Sequence, residues 1–267
     1  MSSRADDFLA LHRAGSPLLI PNPWDAGSAR VLAGLGFRAL ATTSGGFAAT
    51  LGRLDGDVSR TEALKHAAAI AAAVDVPVSA DLENGFADEP EDVAATVRDA
   101  AATGLAGCSI EDWSGAAIYP AELAAARVSA AVDEAHGGDN RLVITARAEN
   151  FLRGNDDLGD TIARLQSFDT AGADVLYAPG LTDLEQIRTV VAEVSKPVNV
   201  LLLKGGPTVA ELTDAGVHRI SVGSHFANVS LAALADAGRE FLAGGGEFLS
   251  AASAGRAVVQ AYFQTRT

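Results

Sequence analysis

PVSADLENGFADEPEDVAATVRDAAATGLAGCSIED, residues 77–112, holds one complete structural unit. The run PVSADL (77–82) is apolar and ends on a carboxylate; Pro90-Glu91-Asp92 has the composition of a first helical turn; GCSIED (107–112) is a second apolar run ending on carboxylates. Strand, helix and strand in so short a span describe a βαβ unit, and such units build parallel sheets. The alternation continues in both directions. LLIPNP (18–23) and ALATTS (39–44) precede it; LVITAR (142–147), DVLYAP (174–179), PVNVLL (197–202) and RISVGS (219–224) follow. Between them lie Ala-rich segments with helical spacing, such as RTEALKHAAAIAAAV (60–74). Eight such units close into an α/β fold, the (β/α)8 TIM barrel. The competing arrangement, an open doubly wound sheet, wants a Gly-rich phosphate turn after its first strand, and Pro21-Asn22-Pro23-Trp24 is not one.

The chain has 267 residues, long for one average domain and ordinary for one barrel, and no linker or charge block divides it, so a single domain over 1–267 is expected. With 48% hydrophobic residues it can bury a large core, yet no apolar stretch approaches the ~20 residues of a membrane span. The formal net charge of −14 argues against nucleic acid and anionic membranes as partners, because both are bound through clustered Lys and Arg. Cys108 is the one cysteine, so no intramolecular disulfide can form. The opening MSSRADDFLALHRAG carries Asp6 and Asp7 where a signal peptide needs a basic lead and an apolar heart. A cytoplasmic location is the expectation.

In a barrel of this kind the chemistry sits at the C-terminal ends of the strands. Asp81 and Glu83, two apart on the third strand, are expected to face the mouth together. Glu111 ends the fourth strand, Asp55 follows the second in LGRLDGD, and Arg147 with Glu149 ends the fifth. So many carboxylates in one pocket repel one another unless a cation sits among them, and an oxygen-only set favours Mg2+ or Mn2+ over zinc. Each residue has a plainer reading as well. Asp-x-Glu alone serves equally to cap a helix, Arg147 to neutralise Glu149 or Glu111, Cys108 to fill core, and His225, in SVGSHF, to start a helix. Convergence from four strand ends is what favours the cation.

The stretch 77–112 resembles the isocitrate lyase and phosphoenolpyruvate (PEP) mutase superfamily, with its acidic strand end, Gly-bearing turn, helix and Ile-Glu-Asp strand end. TTSGGFAATLGRLDG (42–56) is similar to the superfamily's Ser-Gly-Gly/Ala loop followed by Leu-Gly-x-x-Asp, and ITARAEN (144–150) to its Ala-Arg-Thr-Glu/Asp segment. The resemblance runs from the first strand to the eighth. It implies Asp81 as the direct magnesium ligand, with Asp55, Glu83 and Glu111 holding coordinated waters. Ser44, Gly45 and Gly46, bordered by Trp24, would cradle the carboxylate and oxo group of a small α-oxo carboxylate; Arg147 would neutralise the anion, and Asn199 would reach the substrate from the seventh strand.

Two departures narrow the activity. The isocitrate and methylisocitrate lyases carry a Lys-Lys/Arg-Cys-Gly-His loop after the fourth strand, whereas WSGAAIYPAELAAAR (113–127) has no Cys, His or Lys. Glu83 replaces the usual second Asp. The resemblance implies a magnesium-dependent lyase that breaks the C–C bond at C3 of a 2-oxo acid through an enolate, in the manner of an oxaloacetate decarboxylase or a retro-aldol lyase. Arg147 and Glu111 then stand in the catalytic set with His225 as proton donor. One alternative is P–C bond chemistry on phosphonopyruvate or phosphoenolpyruvate. Another, of a different class, is a metal-free barrel binding a phosphorylated ligand on LKGGP (203–207) and SVGSH (221–225). Beyond Gly244-Gly245-Gly246, the residues Phe248, Ala252, Val259, Tyr262 and Phe263 fall near one helical face. The resemblance implies that this C-terminal helix, 247–265, is exchanged between subunits in a homo-oligomer built as a dimer of dimers.

Overall fold

The computed structural model describes residues 3–13, 15–138 and 140–263. Eight parallel strands form one sheet: β1 Leu18–Ile20, β2 Leu40–Ala41, β3 Val78–Asp81, β4 Gly107–Glu111, β5 Val143–Arg147, β6 Val175–Tyr177, β7 Val198–Leu201 and β8 Arg219–Ser221. Their order, β1-β8-β7-β6-β5-β4-β3-β2, wraps the sheet on itself. The remaining gap, between β1 and β2, is spanned where the Ala41 N–H donates to the Pro21 carbonyl at 3.1 Å. The expected (β/α)8 barrel is therefore the fold, although its strands are shorter than the apolar runs that announce them. The Pro21–Pro23 segment leaves the ladder, and the Asn22 side chain accepts from the Val222 and Gly223 N–H groups at 3.0 and 2.9 Å.

Helices α1 Arg4–Leu11, α2 Ala26–Gly34, α3 Ser44–Thr50, α4 Arg60–Ala73, α5 Pro90–Ala101, α6 Ala121–Gly137, α7 Leu158–Thr170, α8 Leu184–Glu193, α9 Val209–Asp214, α10 His225–Leu242 and α11 Phe248–Tyr262 complete the chain. Among the described residues no helix is long and apolar enough to cross a membrane. Helix starts follow the sequence signals: α4 opens on a capping box, the Ser59 hydroxyl accepting from Glu62 N–H while Glu62 returns to Ser59, and Pro90 occupies the first turn of α5.

The main core lies between sheet and helices, around Ile70, Val97, Ile110, Ile144 and Leu176. A second apolar cluster fills the N-terminal end of the barrel, where Phe8 of α1 meets Leu18, Ile20, Val143 and Val175. Gly107 is required there: a Cβ on it would lie 2.6 Å from the Val143 carbonyl and 3.1 Å from the Phe8 ring. Apolar packing thus plugs the bottom. The upper interior is polar, with Ser79, Thr145, Asn199, Arg219 and Ser221 buried on the strands.

Beyond α10 the chain turns at Gly244, whose φ of +84° suits glycine. The Glu240 carboxylate pins this turn by accepting from the Glu247 and Phe248 N–H groups. Helix α11 then reaches α2 of its own chain with its last residues: a Cβ on Gly34 would overlap the Tyr262 ring, and one on Gly27 would come within 3.2 Å of Phe263. No residue of α11 is buried, and Val259 is 48% exposed. Residues 264 and 265 of the expected 247–265 segment lie outside the described residues.

Candidate active site

At the C-terminal mouth of the barrel Arg147 gathers the carboxylates. Its Nη1 lies 3.1 Å from Asp81 Oδ1, and its Nη2 lies 3.1 Å from Glu111 Oε2 and 2.8 Å from Glu149 Oε1. The geometry follows from register. Asp81 pairs with Ser109 and Glu111 with Arg147 across parallel strands, so the acids and the guanidinium end their strands side by side. Burial opposes the charge on Arg147, but Glu149, Glu111 and Asp81 outweigh it and hold its pKa well above the usual value. Glu111 is pushed well up, chiefly by burial, with Glu149 and Asp81 adding to a shift that Arg147 opposes.

Asp81 is the most heavily bonded of the acids. Its Oδ2 accepts from the Ser44 hydroxyl at 3.0 Å and the Ser44 N–H at 3.3 Å, and its Oδ1 from the Ser109 hydroxyl at 3.4 Å. Glu83 stands beside it, but not by strand alternation as the sequence suggests. Strand β3 ends at Asp81, and Glu83 adopts a left-handed backbone (φ +49°), which non-glycine residues seldom tolerate. Its carbonyl accepts from Glu111 N–H at 2.9 Å, locking this turn onto β4. One carboxylate oxygen of Glu83, Oε1, is buried without a hydrogen-bond partner. Burial, with Asp81 and Asp55 nearby, pushes its carboxyl up to about 7. Backbone strain and an orphaned acceptor mark this turn as shaped for something other than stability.

A cavity of about 310 Å³ opens here, walled by Asp81, Arg147, Ser44, Asp55, Tyr177 and His225 among others. Ser44 opens α3, capped by Thr43, whose hydroxyl shares a 2.8 Å hydrogen bond with that of Ser224. Gly45 and Gly46 are required by their neighbours: a Cβ on Gly45 would lie 2.8 Å from Ser224 Oγ and 3.2 Å from Asp55 Oδ2, and one on Gly46 2.6 Å from Thr43 Cγ2. His225 is the first residue of α10 and is exposed at the cavity wall. Of the expected site residues, Trp24, Gly45, Gly46, Glu83, Glu111 and Asn199 stand behind the cavity wall rather than on it. Trp24 backs onto Gly46 and its carbonyl meets His66 Nε2 at 2.9 Å, so it supports the turn rather than walling the cavity. Asn199, 1% exposed, lies deeper, donating to Ser221 Oγ at 3.1 Å and accepting from Arg219 Nε at 2.9 Å. It supports Arg219, which does line the cavity.

Other members of the site have weak sequence signals. Arg153 stacks 4.4 Å from the centre of the Trp113 ring and lies 3.8 Å from Glu111 and 3.5 Å from Glu149. Nothing in ARAENFLRG distinguishes it from a surface arginine. Asp112, at the end of β4, accepts from the Glu149 N–H at 2.8 Å and pairs with Arg164 at 3.1 Å; burial pushes it up to about 6. It braces the base of the acid cluster. Cys108 is fully buried core, its thiol pushed up to about 12 by desolvation, and takes no part.

Comparison with known proteins matches this geometry to a family. The family model described as phosphoenolpyruvate phosphomutase matches residues 8–242. An uncharacterised protein of Mycobacterium tuberculosis is 34% identical over 233 residues, covering 87% of each chain. The oxaloacetate decarboxylase of Bradyrhizobium sp. is 32% identical over 205 residues, covering 72% of this chain and 67% of that one. Among solved structures, a putative lyase/mutase from Burkholderia cenocepacia superposes with a TM-score of 0.93 at 45% identity, covering 98% of this chain and 96% of the other. The chain belongs to the phosphoenolpyruvate phosphomutase family and is an enzyme of the isocitrate lyase/PEP mutase superfamily of lyases and mutases.

Proposed function

We propose that this enzyme is a magnesium-dependent lyase that binds a small 2-oxo carboxylic acid and breaks the C–C bond at C3 through an enolate. The observation that carries the reading is the buried Glu83 oxygen without a hydrogen-bond partner, with the Asp81 and Asp55 carboxylates near it, an arrangement that a bound cation would relieve. The donor set fits a hard ion. Asp81 would be the direct ligand, with Asp55, Glu83 and Glu111 holding its waters. Among the described residues no group of three or more His, Cys, Asp or Glu side chains is arranged to hold an ion by itself, so waters would have to complete the coordination. When bound, Mg2+ polarises the oxo group and stabilises the charge that develops on it; Mn2+ would serve the same donors.

The chain's own groups do the rest. Arg147 bridges Asp81 and Glu111, each at 3.1 Å, and holds the two acids beside one another. Ser44, bonded to Asp81 and on the cavity wall, would meet the substrate carboxylate, and Gly45 and Gly46 let the turn behind it pack against Ser224, Asp55 and Thr43. His225, at the cavity wall and exposed, delivers the proton to the enolate carbon. Residues 113–120 close on themselves through the Trp113–Ile118 bridge, and neither they nor the first turns of α6 that follow, to Arg127, carry a Lys, His or Asn to steady a phosphoryl group, which favours C–C over P–C cleavage.

Metal binding should be legible in stability. The Glu83 carboxyl holds its proton up to about 7 in the fold, against about 4.5 when free, so the native state binds more protons than the unfolded state over that window. Stability of the metal-free protein is expected to fall as pH rises from 4.5 to 7, and the stabilisation by added Mg2+ to grow over the same range. Thermal unfolding with EDTA and with Mg2+ reads both slopes; a magnesium increment independent of pH would contradict the site.

The homo-oligomer belongs to the same proposal. Helix α10 leaves Leu234 (69%), Phe241 (70%) and Leu242 (89%) exposed and α11 leaves Leu249 (59%) and Val259 (48%) exposed, apolar area that a neighbouring subunit would cover. Light scattering is expected to give about four times the 27.2 kDa chain mass, and a chain ending at Gly244 a smaller assembly. A monomer, or a truncated form of unchanged size, would remove the dimer-of-dimers reading.

A further inference from the structure

A second cavity, of about 610 Å³ against about 310 Å³ at the mouth, opens at the other end of the barrel. Pro17, Asp174, Pro197 and His218 wall it, each standing one residue before a strand, β1, β6, β7 and β8 in turn. The chemistry of a barrel sits at the opposite, C-terminal end, so this cavity is separate from the candidate active site.

Its charge runs against that of the chain. The protein has 34 acids to 20 Lys and Arg, yet two cations on this wall, Arg13 after α1 and Lys196 before β7, form no ion pair among the described residues. The cavity's own carboxylate, Asp174, is already taken. It lies 2.7 Å from Arg141 Nη2 and 2.9 Å from His136 Nε2, and it accepts from the Ile144 N–H at 2.9 Å. Asp169 stands behind Ser195, accepting from that residue's hydroxyl and N–H at 2.6 and 2.9 Å. The open charges on the wall are therefore positive.

Two imidazoles add hydrogen-bonding groups of opposite sense. His12, 2% exposed, has Nδ1 at 2.9 Å from the Phe8 carbonyl; a carbonyl only accepts, so Nδ1 carries the proton and Nε2 is a bare acceptor. That Nε2 is buried without a hydrogen-bond partner. Burial drives the His12 pKa down to about 3, so the ring is neutral. His218 is arranged the other way: its Nδ1 accepts from the Val198 N–H at 3.4 Å, which leaves Nε2–H to donate. A buried acceptor with no donor is destabilising, and a phosphate or carboxylate anion cannot satisfy it, whereas a hydroxyl can. Among the described residues no Phe, Tyr or Trp lines the cavity to stack a nucleobase.

We propose that this cavity binds a small phosphate monoester that also carries free hydroxyl groups, a compound of the sugar-phosphate or polyol-phosphate class. Such an ester is close to a dianion at neutral pH and matches the two cations, Arg13 and Lys196. His218 donates to the phosphate, and a hydroxyl of the carbon chain donates to His12 Nε2. Ser16 and Thr213 put further hydroxyls on the same wall. The proposal is independent of the reaction at the mouth.

Calorimetric titration of the full-length protein with glycerol 3-phosphate, ribose 5-phosphate and glucose 6-phosphate tests it, with inorganic phosphate and ribose as the separate halves of a ligand. At least one ester is expected to bind roughly tenfold or more tightly than either half. Replacing both cations, Arg13→Met with Lys196→Met, should weaken that ester by roughly tenfold or more, the scale of lost charge-assisted hydrogen bonds. Asp81→Ala, altered at the other end of the barrel, should bind the ester as the wild type does. No binding of any ester, inorganic phosphate binding as tightly as the best ester, or an affinity unchanged in the double variant would overturn the proposal. Loss of ester binding in Asp81→Ala would place the ester at the mouth and overturn it equally. The wild-type comparison of esters with their halves decides the matter even if the double variant does not fold.

Discussion

Asp81→Ala is expected to lower kcat/KM by roughly three orders of magnitude, the scale of the several kcal/mol by which a bound ion stabilises a developing oxyanion. Asp81 is the carboxylate on which the Ser44 hydroxyl, the Ser44 N–H and Arg147 all converge, so its loss removes the ion's anchor and loosens the substrate turn together. The fold should survive, because Arg147 keeps Glu111 and Glu149. A specific secondary effect distinguishes this from general damage. Asp81 helps to raise the Glu83 carboxyl, so in the metal-free variant that group should titrate lower than about 7. Carboxylate NMR or the pH dependence of unfolding reads the shift, and full activity in the variant would contradict the metal role of Asp81.

Arg147→Lys carries the second large effect. One ammonium cannot occupy the positions from which the guanidinium meets Asp81, Glu111 and Glu149 at 2.8–3.1 Å. Activity should fall by roughly a hundredfold or more, on the scale of losing an oriented charge contact in the transition state. Arg147→Met should also cost stability, on the order of 3–5 kcal/mol, since Glu149 is fully buried and would be left facing only Arg153 at 3.5 Å. Urea unfolding measures the loss. Unchanged kinetics in Arg147→Lys would reduce the residue to a structural counter-ion.

The barrel was legible because its signal is repeated: each apolar run in the sequence marks a strand, and Pro90 and Ser59 start helices where their chemistry says they should. The acids at strand ends were legible for the same reason, since parallel register turns strand ends into neighbours. The turn at Glu83 was not, because a left-handed backbone at a glutamate leaves no trace in composition. Asn199 lies behind the cavity wall, bonded to Arg219; which of two inward residues meets the cavity depends on barrel shear, and one strand's sequence does not encode it. Arg153 was invisible for a third reason: its partner Trp113 is contributed by a different loop.

The most direct measurement of the central claim is magnesium-dependent release of pyruvate, the product that cleavage at C3 of the candidate acids has in common. The metal-stripped enzyme is incubated with oxaloacetate, a 4-hydroxy-2-oxo acid or phosphonopyruvate, with and without Mg2+, and Asp81→Ala serves as the control for decarboxylation by the ion alone. Pyruvate is expected from a carbon acid in the presence of Mg2+, at a rate well above that of the Asp81→Ala protein, and none above background with EDTA. Pyruvate formed at the same rate with EDTA, or no pyruvate from any carbon acid with Mg2+, would contradict it.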